Sequence, residues 1–277
     1  MTYAEYMSDT ARSCAIVAHR GVWNAAPENS LLAIRRAIDA GYDVVEIDVR
    51  RAADGDFVIL HDKTLERMAG IDGQPETMTL AELSTVALRD RDGGPENAVT
   101  SEMLPSLKQV FELTRDRIFI HLDIKDRTLI PQVIAYAQAM GVDRQVDVWA
   151  DIRTVDDLNW ARRTILEPGI PFVARARLEA PDADVQIDLV LALKPLICEV
   201  SFKALEQVRA LKDRFRAEGI TLWANTLNEV SSGEFNDRLA GKDPGAVWGR
   251  MIDAGISAIQ TDEMEGLRNY LKTRQAA

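Results

Sequence analysis

The sequence predicts an α/β protein with the fold of a (β/α)8 TIM barrel. Strand-like and helix-like stretches alternate to the end of the chain, and this order favours parallel strands joined by crossover helices. Eight strand candidates can be counted, and 277 residues is an ordinary length for one such barrel. We therefore predict a single domain over residues 1–277, with an open, doubly wound sheet as the structural alternative. The strand candidates are Ala15–Ala18, Asp43–Arg50, Ile118–Ile124, Val146–Trp149, Pro171–Ala174, Leu196–Val200, Ile220–Ala224 and Ser257–Thr261.

Two of the helices between these strands show an apolar face most clearly. In the first, Leu31, Ile34 and Ile38 recur at helical spacing, and Gly41 follows as a C-terminal stop. A later helix ends at Gly219 and repeats the pattern. Its apolar face consists of Leu205, Val208, Leu211 and Phe215. These helices are the crossovers that the alternation requires.

One stretch, at about 62–104, interrupts the alternation and is rich in Gly, Asp and Glu. Its helical candidate is Leu80–Val86. Just before it, the dipeptide Asp54-Gly55 predicts a tight hairpin that folds Phe57–His61 back beside the second strand. We therefore expect a small inserted subdomain after this hairpin, packed over one end of the barrel.

The formal net charge of −11 disfavours nucleic acid and anionic lipid surfaces as partners, because it repels their phosphates. A small anionic substrate would need a locally cationic site, which is a first indication of a metal.

No apolar run approaches the ~18 residues of an integral membrane segment. The segment Met1–Ser13 lacks a signal-peptide core, so we expect a cytoplasmic protein. Cys14 and Cys198 are interpreted as buried or incidental thiols, and the oligomeric state is left open.

The second strand candidate carries acidic residues where a barrel strand normally carries apolar ones. Within Asp43–Arg50, Glu46 and Asp48 share one face with Arg50, and apolar side chains occupy the other face. Two carboxylates two positions apart repel each other unless a cation lies between them. The pattern therefore indicates a cation site, with a solvent-facing hairpin edge as the alternative.

The third strand candidate shows the same departure. His121, Asp123 and Lys125 share one face of it. A third carboxylate on a neighbouring strand would complete an oxygen-rich site, which hard divalent cations such as Mg²⁺ or Ca²⁺ prefer. Zinc is disfavoured because the chain has no Cys or His cluster of suitable spacing.

Two of the three histidines lie where barrel enzymes hold their catalytic groups. His19 ends the first strand and is followed by Arg20, and His61 ends the predicted hairpin and is followed by Asp62. A lone histidine is more often structural than catalytic. Two at strand ends, each close in sequence to the acidic strand, favour a catalytic pair, whereas His121 is interpreted as a core residue.

Four ordered motifs resemble the signature of the glycerophosphodiester phosphodiesterase family. Later stretches match as well, including the closing Thr261-Asp262, so the similarity covers about residues 15 to 270. No single motif would carry this resemblance, but several in order at appropriate spacing do. The four motifs are Ala18-His19-Arg20-Gly21, Pro27-Glu28-Asn29-Ser30, Glu46-Ile47-Asp48-Val49 and His61-Asp62.

The resemblance implies a barrel with a small insertion, one divalent cation (Mg²⁺ or Ca²⁺), and hydrolysis of glycerophosphodiesters to glycerol 3-phosphate and an alcohol. The family usually has glutamate where this chain has Asp123, which is one methylene shorter. The implied roles are metal ligands for Glu46, Asp48 and Asp123, acid/base catalysis for His19 and His61, and substrate binding for Arg20, Lys125 and Trp223.

Two other functions remain open at this point. A phospholipase D-like or cyclising phosphodiesterase would act on lysophospholipids or sugar phosphodiesters, and its product would distinguish it. A non-catalytic phosphodiester-binding protein would be expected to lack a histidine or carboxylate of the motifs, and this chain lacks none.

Overall fold

The structure, a computed structural model, describes residues 1–275. Eight parallel strands close into a barrel with helices around it, so the predicted fold class is confirmed and the open sheet is wrong. The strands are β1 (Ala15–Ala18), β2 (Val44–Arg51), β3 (Phe57–Ile59), β4 (Ala87–Arg89), β5 (Val99–Met103), β6 (Phe119–Ile124), β7 (Val146–Asp151), β8 (Phe172–Arg177), β9 (Ile197–Ser201), β10 (Thr221–Asn225) and β11 (Ala258–Thr261). All but β3, β4 and β5 belong to the barrel.

The helices follow the barrel strands in the order that the sequence predicts. Both helices predicted from their apolar faces form, and Gly41 ends the first of them with a left-handed backbone at φ 72°. The helices are α1 (Tyr3–Ser8), α2 (Leu31–Ala40), α3 (Glu66–Ala69), α4 (Leu80–Leu83), α5 (Leu107–Thr114), α6 (Ile130–Ala139), α7 (Val155–Ala161), α8 (Ala183–Leu193), α9 (Leu205–Ala217), α10 (Asp237–Ala240), α11 (Arg250–Ala254) and α12 (Met264–Gln275).

All eight predicted barrel strands form, with small differences at their ends. The largest is at β8, which continues to Arg177 where the prediction ended at Ala174. The missed end alternates alanine with arginine, so its apolar content is low although Ala176 is fully buried. Strand ends are the least certain part of a pattern-based assignment because apolar periodicity fades there.

Residue contacts divide the chain into two compact units. The first comprises Met1–Val17 and Asp147–Ala277, and within it β8 pairs in parallel with β7 and β9, and β10 with β9 and β11. The second is Ala18–Val146, in which β2 pairs in parallel with β6 and antiparallel with β3. The single-domain count stays a prediction.

The predicted hairpin after β2 is confirmed. Val49 lies opposite Ile59 across the antiparallel pair, and Gly55 in the turn has φ 96°, which favours glycine. The backbone N–H of Leu60 then donates to the carbonyl oxygen of Asp48 at 3.0 Å. This contact places His61, the next residue, beside the carboxyl end of β2.

The stretch after the hairpin contains more regular structure than the sequence predicts. Its helix α4 is shorter than the predicted Leu80–Val86, and β4 and β5 form a two-stranded antiparallel sheet that the sequence pattern missed. The exposed residues Val99 and Met103 at the ends of β5 explain this, because they blur any apolar face. A separate apolar cluster packs the stretch against the hairpin, formed by Ala52, Val58, Leu60, Leu65, Met68, Ala69, Leu83, Val86, Leu88 and Leu104.

Two of the remaining expectations concern membranes and thiols. Across residues 1–275, no helix is both long and apolar enough to cross a bilayer. Cys14 and Cys198 are buried free thiols, as interpreted from their number, and burial raises the pKa of the Cys198 thiol. That thiol is therefore protonated at neutral pH.

Candidate active site

Three carboxylates converge at the carboxyl ends of β2 and β6. The parallel register places Asp48 beside Asp123, and strand alternation turns Glu46 to the same face as Asp48. Glu46 and Asp48 are 2% and 1% exposed, respectively, so the interpretation of a solvent-facing hairpin edge is wrong. One oxygen from each of the three carboxylates lies within 4.8 Å of the others.

Two cationic side chains neutralise part of this charge. Lys125 Nζ lies 2.6 Å from Asp48 Oδ1 and 2.6 Å from Asp123 Oδ2, and so bridges the two strands. Arg20 Nε lies 3.2 Å from Asp48 Oδ2. Burial raises the pKa of Asp48, but the charges of Lys125 and Arg20 outweigh it and hold this pKa well below its usual range. Asp48 is therefore ionised at any physiological pH.

Glu46 has a different electrostatic environment from its neighbour. Burial and the negative charge of Asp48 raise the pKa of Glu46 to about 7. Its Oε2 accepts a hydrogen bond from the backbone N–H of Arg20 at 3.0 Å.

Taken together, the three carboxylates outnumber the two cations beside them and leave an excess of negative charge. All the atoms that they offer to a metal are oxygens. This donor set fits a hard divalent cation such as Mg²⁺ or Ca²⁺.

The turn after β1 aims that backbone N–H at Glu46. Arg20 and Gly21 both have a left-handed backbone, with φ 55° and 82°. A Cβ atom at position 21 would lie 2.7 Å from the carbonyl carbon of Ala33, so only glycine fits there. The same turn places His19, directly after β1, close enough for its charge to lower the pKa of Glu46.

Asn29 is a part of the site that the sequence reasoning did not single out. Its Nδ2 donates to Asp48 Oδ2 at 2.7 Å, and its Oδ1 accepts from the backbone N–H of Asp48 at 3.2 Å. It is 2% exposed and has φ 60°, a conformation that asparagine tolerates better than most residues. Its position in the motif Pro27-Glu28-Asn29-Ser30 is the sequence signal that could have identified it as a site residue.

The His61 ring is oriented by its neighbour in sequence. Its Nδ1 lies 2.8 Å from Asp62 Oδ1, and its carbonyl oxygen accepts from Arg50 Nη2 at 2.7 Å. Hydrogen bonds from Arg67 are the main reason that the pKa of Asp62 falls to about 2, so Asp62 is ionised and can only accept. His61 Nδ1 therefore carries the proton, and Nε2 is the ring atom left for chemistry.

Two other predicted residues are buried in their strands. His121 is 4% exposed within β6, as expected of a core histidine. Trp223 is fully buried within β10 of the first unit, and its Nε1 donates to Asn225 Oδ1 at 2.8 Å. The contact of Trp223 with a substrate stays a prediction.

The second unit also contains a cavity of suitable size for a small ligand. Its volume is about 560 Å³, within the range usual for small-molecule sites. Lys125 and Arg50 contribute to its wall, as do Asp126, Thr128 and Gln132. A polar cavity thus adjoins the lysine that bridges two of the carboxylates.

Comparison with known proteins identifies the family. The model of the glycerophosphoryl diester phosphodiesterase family matches residues 19–266, which include the three carboxylates and both strand-end histidines. The chain belongs to this family. It is accordingly an enzyme, a phosphoric diester hydrolase acting on glycerophosphodiesters, and the resemblance found in the sequence is confirmed.

Relatives of this family match along nearly the whole chain. A glycerophosphodiester phosphodiesterase of Caldanaerobacter subterraneus is 26% identical over 267 residues, covering 93% of this chain and 97% of the relative. A glycerophosphoryl diester phosphodiesterase structure from Parabacteroides distasonis aligns with a TM-score of 0.75 at 20% identity, covering 98% of this chain and 92% of that one. The Oleispira antarctica phosphodiesterase, solved in complex with the product sn-glycerol-3-phosphate, aligns with a TM-score of 0.65 at 22% identity, covering 93% and 96%.

Proposed function

We propose that this enzyme hydrolyses glycerophosphodiesters to glycerol 3-phosphate and an alcohol with the help of one divalent cation, Mg²⁺ or Ca²⁺. Glu46, Asp48 and Asp123 would hold the ion. The observation that carries the proposal is the convergence of their three oxygens within 4.8 Å in a net negative cluster whose members Glu46 and Asp48 are buried. Without a cation, such a cluster costs free energy through mutual repulsion.

The bound cation would polarise the phosphoryl group and lower the pKa of the attacking hydroxyl. The protein's own cations have a complementary task. Arg20 and Lys125 lie beside the carboxylates and would neutralise the remaining charge on the phosphate oxygens, where fixed positive groups stabilise a transition state strongly. Lys125 also lies in the wall of the polar cavity, and it is the member of the proposed site that this cavity reaches.

His19 and His61 are the proposed acid/base pair. The Nδ1–H of His61 is engaged by Asp62, so proton transfer would occur at Nε2. His19, on the turn after β1, would serve as the second partner, and Trp223 would contribute to the substrate pocket. Each proton transfer of this kind typically accounts for about 10²–10⁴ of the rate.

Metal dependence can be tested by removing the ion and by removing a ligand. Chelator treatment should abolish hydrolysis of glycerophosphocholine, and Mg²⁺ or Ca²⁺ should restore it. In calorimetric titrations with the metal alone, Glu46→Gln should lose binding, while the exposed helix residue variant Glu265→Gln should bind as the unmodified enzyme does. A chelator-insensitive enzyme would refute the metal site.

The acid/base pair is tested by His61→Ala. We expect kcat to fall by about 10²–10⁴-fold while the circular dichroism spectrum stays unchanged, because the side chain is partly exposed and its loss leaves no core cavity. Glu265→Gln, an exposed variant on α12, serves as the control and should keep kcat unchanged. Phosphorus NMR of the products separates linear glycerol 3-phosphate from a released cyclic phosphate, which would show a cyclising enzyme instead.

A further inference from the structure

Arg67, on α3, donates hydrogen bonds to several acceptors, although the proposed reaction assigns it no role. Its Nε donates to Asp62 Oδ2 at 2.7 Å, and its Nη2 donates to Asp62 Oδ1 at 2.9 Å. The same Nη2 donates to Glu28 Oε1 at 2.6 Å, and Nη1 donates to the carbonyl oxygen of Asp92. Because the guanidinium is planar, these partners fix its orientation as well as its position.

Asp62 transmits this orientation to His61. Its Oδ1 accepts from Arg67 Nη2 and lies 2.8 Å from His61 Nδ1, while Oδ2 accepts from Arg67 Nε. A carboxylate held at both oxygens cannot rotate about its χ2 angle without breaking a hydrogen bond. The imidazole therefore meets an acceptor of fixed direction, and that acceptor selects the tautomer with the proton on Nδ1.

The other side of Arg67 leads to the carboxylate cluster. Glu28 is 3% exposed, and both of its oxygens lie 3.0 Å from Arg20 Nη1, which donates to them. Arg20 in turn pairs with Asp48 through Nε at 3.2 Å. Charges of alternating sign thus run from His61 to Asp48, and Arg67 is the link supplied by the stretch after the hairpin.

We propose that Arg67 is a positioning residue for the acid/base step, holding Asp62 so that His61 keeps its Nδ1–H tautomer and its place relative to the carboxylate cluster. This inference rests on the proposed function, in which His61 transfers a proton. It assigns a task in the reaction to the inserted stretch, which otherwise contributes no proposed ligand or proton-transfer group.

Lysine could not replace Arg67 in this task. An ammonium group carries the charge but has no planar fork, so it cannot engage both oxygens of Asp62 and reach Glu28 in one fixed geometry. The variant Arg67→Lys therefore separates charge from geometry. Arg67→Gln removes both, and Arg35→Gln removes an exposed arginine from α2 of the same unit as a matched control.

The first measurement reads the tautomer directly. The ¹⁵N-labelled 277-residue chain has only three histidines, so long-range ¹H–¹⁵N spectra resolve each ring, and His61→Ala identifies the His61 signals. At alkaline pH, where imidazoles are neutral, we expect the Nδ1–H form of His61 in the unmodified enzyme and in Arg35→Gln. Arg67→Lys and Arg67→Gln should shift the ring toward the Nε2–H form.

The second measurement determines kcat and KM separately for glycerophosphocholine with saturating Mg²⁺ or Ca²⁺. Both Arg67 variants should lower kcat by about 10–100-fold, the usual loss for an outer-shell partner, and leave KM nearly unchanged. If Arg67→Gln does not fold, Arg67→Lys provides both readouts, because it keeps a charge beside the buried Glu28.

The outcomes separate this inference from the function on which it rests. A tautomer shift together with the loss in kcat supports a positioning role. An unchanged tautomer, or kinetics equal to those of Arg35→Gln, overturns it. Full activity of His61→Ala would instead refute the acid/base pair, and the tautomer measurement would still show whether Arg67 orients the ring.

Discussion

Asp48 and Asp237 are both carboxylates at 1% exposure, one in each compact unit, but their partners differ in kind. Asp48 pairs with the cations Arg20 and Lys125 and accepts one amide hydrogen bond from Asn29. The partners of Asp237 are all uncharged donors. Both side chains are equally inaccessible to solvent, so the contrast shows mainly what the partners do.

Three donors surround Asp237 in the first unit. Thr226 Oγ1 and Thr261 Oγ1 donate to its Oδ1 at 2.6 Å and 2.7 Å, and the backbone N–H of Asp262 donates to its Oδ2 at 2.8 Å. Burial still outweighs these bonds and raises the pKa of Asp237 to about 6. Uncharged donors therefore hold this carboxylate in place without bringing its pKa down to the ordinary aspartate value.

The difference shows what keeps the pKa of a buried carboxylate low. The condition is a neighbouring positive charge, because uncharged donors offset the desolvation of a buried anion only in part. Asp48 meets this condition through two cations. Asp237 instead cross-links β10, β11 and α10 within its unit, and its chemistry is that of a structural hydrogen-bond acceptor.

The largest expected effect is that of Asp48→Asn. Removing this charge leaves Arg20 and Lys125 without their shared counter-charge, and breaking a buried ion pair typically lowers the free energy of unfolding by about 3–5 kcal/mol. Loss of a proposed ligand should also lower kcat/KM by more than about 100-fold, beyond the range of outer-shell substitutions. Urea denaturation and steady-state kinetics measure the two effects. If Asp237→Asn lost as much stability and as much kcat/KM, Asp48 and Asp237 would not differ in role.

The second prediction concerns the pH dependence of stability. The pKa of Asp237 is raised on folding, so the folded state binds an extra proton between the ordinary aspartate pKa and about 6. Its contribution is fully present below about pH 4 and is lost as pH rises through 6, a change of about 3 kcal/mol.

Urea denaturation of the unmodified enzyme and Asp237→Asn across pH 4 to 7 tests this sign. The asparagine variant should lack the decline that titration of Asp237 causes. Parallel curves would mean that the group titrates equally in the folded and unfolded states. Asp48 cannot produce the same decline, because its pKa is lowered and its contribution is lost only in acid.

The smallest effect is expected for Thr226→Val. It removes one donor from Asp237 but retains those of Thr261 and Asp262, so the free energy of unfolding should fall by about 1 kcal/mol. The loss should be larger at pH 8 than at pH 5, since a hydrogen bond to an ionised acceptor is stronger. A loss independent of pH would show that Asp237 keeps one protonation state throughout.

The amino-acid sequence was enough to predict the fold class, the order of the strands and the family. Apolar periodicity and motif order can be recognised along the chain, so they do not require knowledge of the three-dimensional structure. Alternation within β2 also predicted that Glu46 and Asp48 share a face. Repulsion between like charges then indicated a cation, and Asp123 on β6 was correctly expected nearby.

How the charges around these carboxylates are connected became evident only from the three-dimensional fold. Lys125 bridges Asp48 and Asp123, and Arg67 links Glu28 with Asp62. In each link one contact joins residues far apart in the chain, Lys125 with Asp48 and Arg67 with Glu28. Such contacts have no period and no fixed spacing, so the pattern along the chain does not encode them visibly. The sequence predicted the residues that we propose for the reaction, but the register of β2 against β6 and the path of the inserted stretch determine which charge neutralises which.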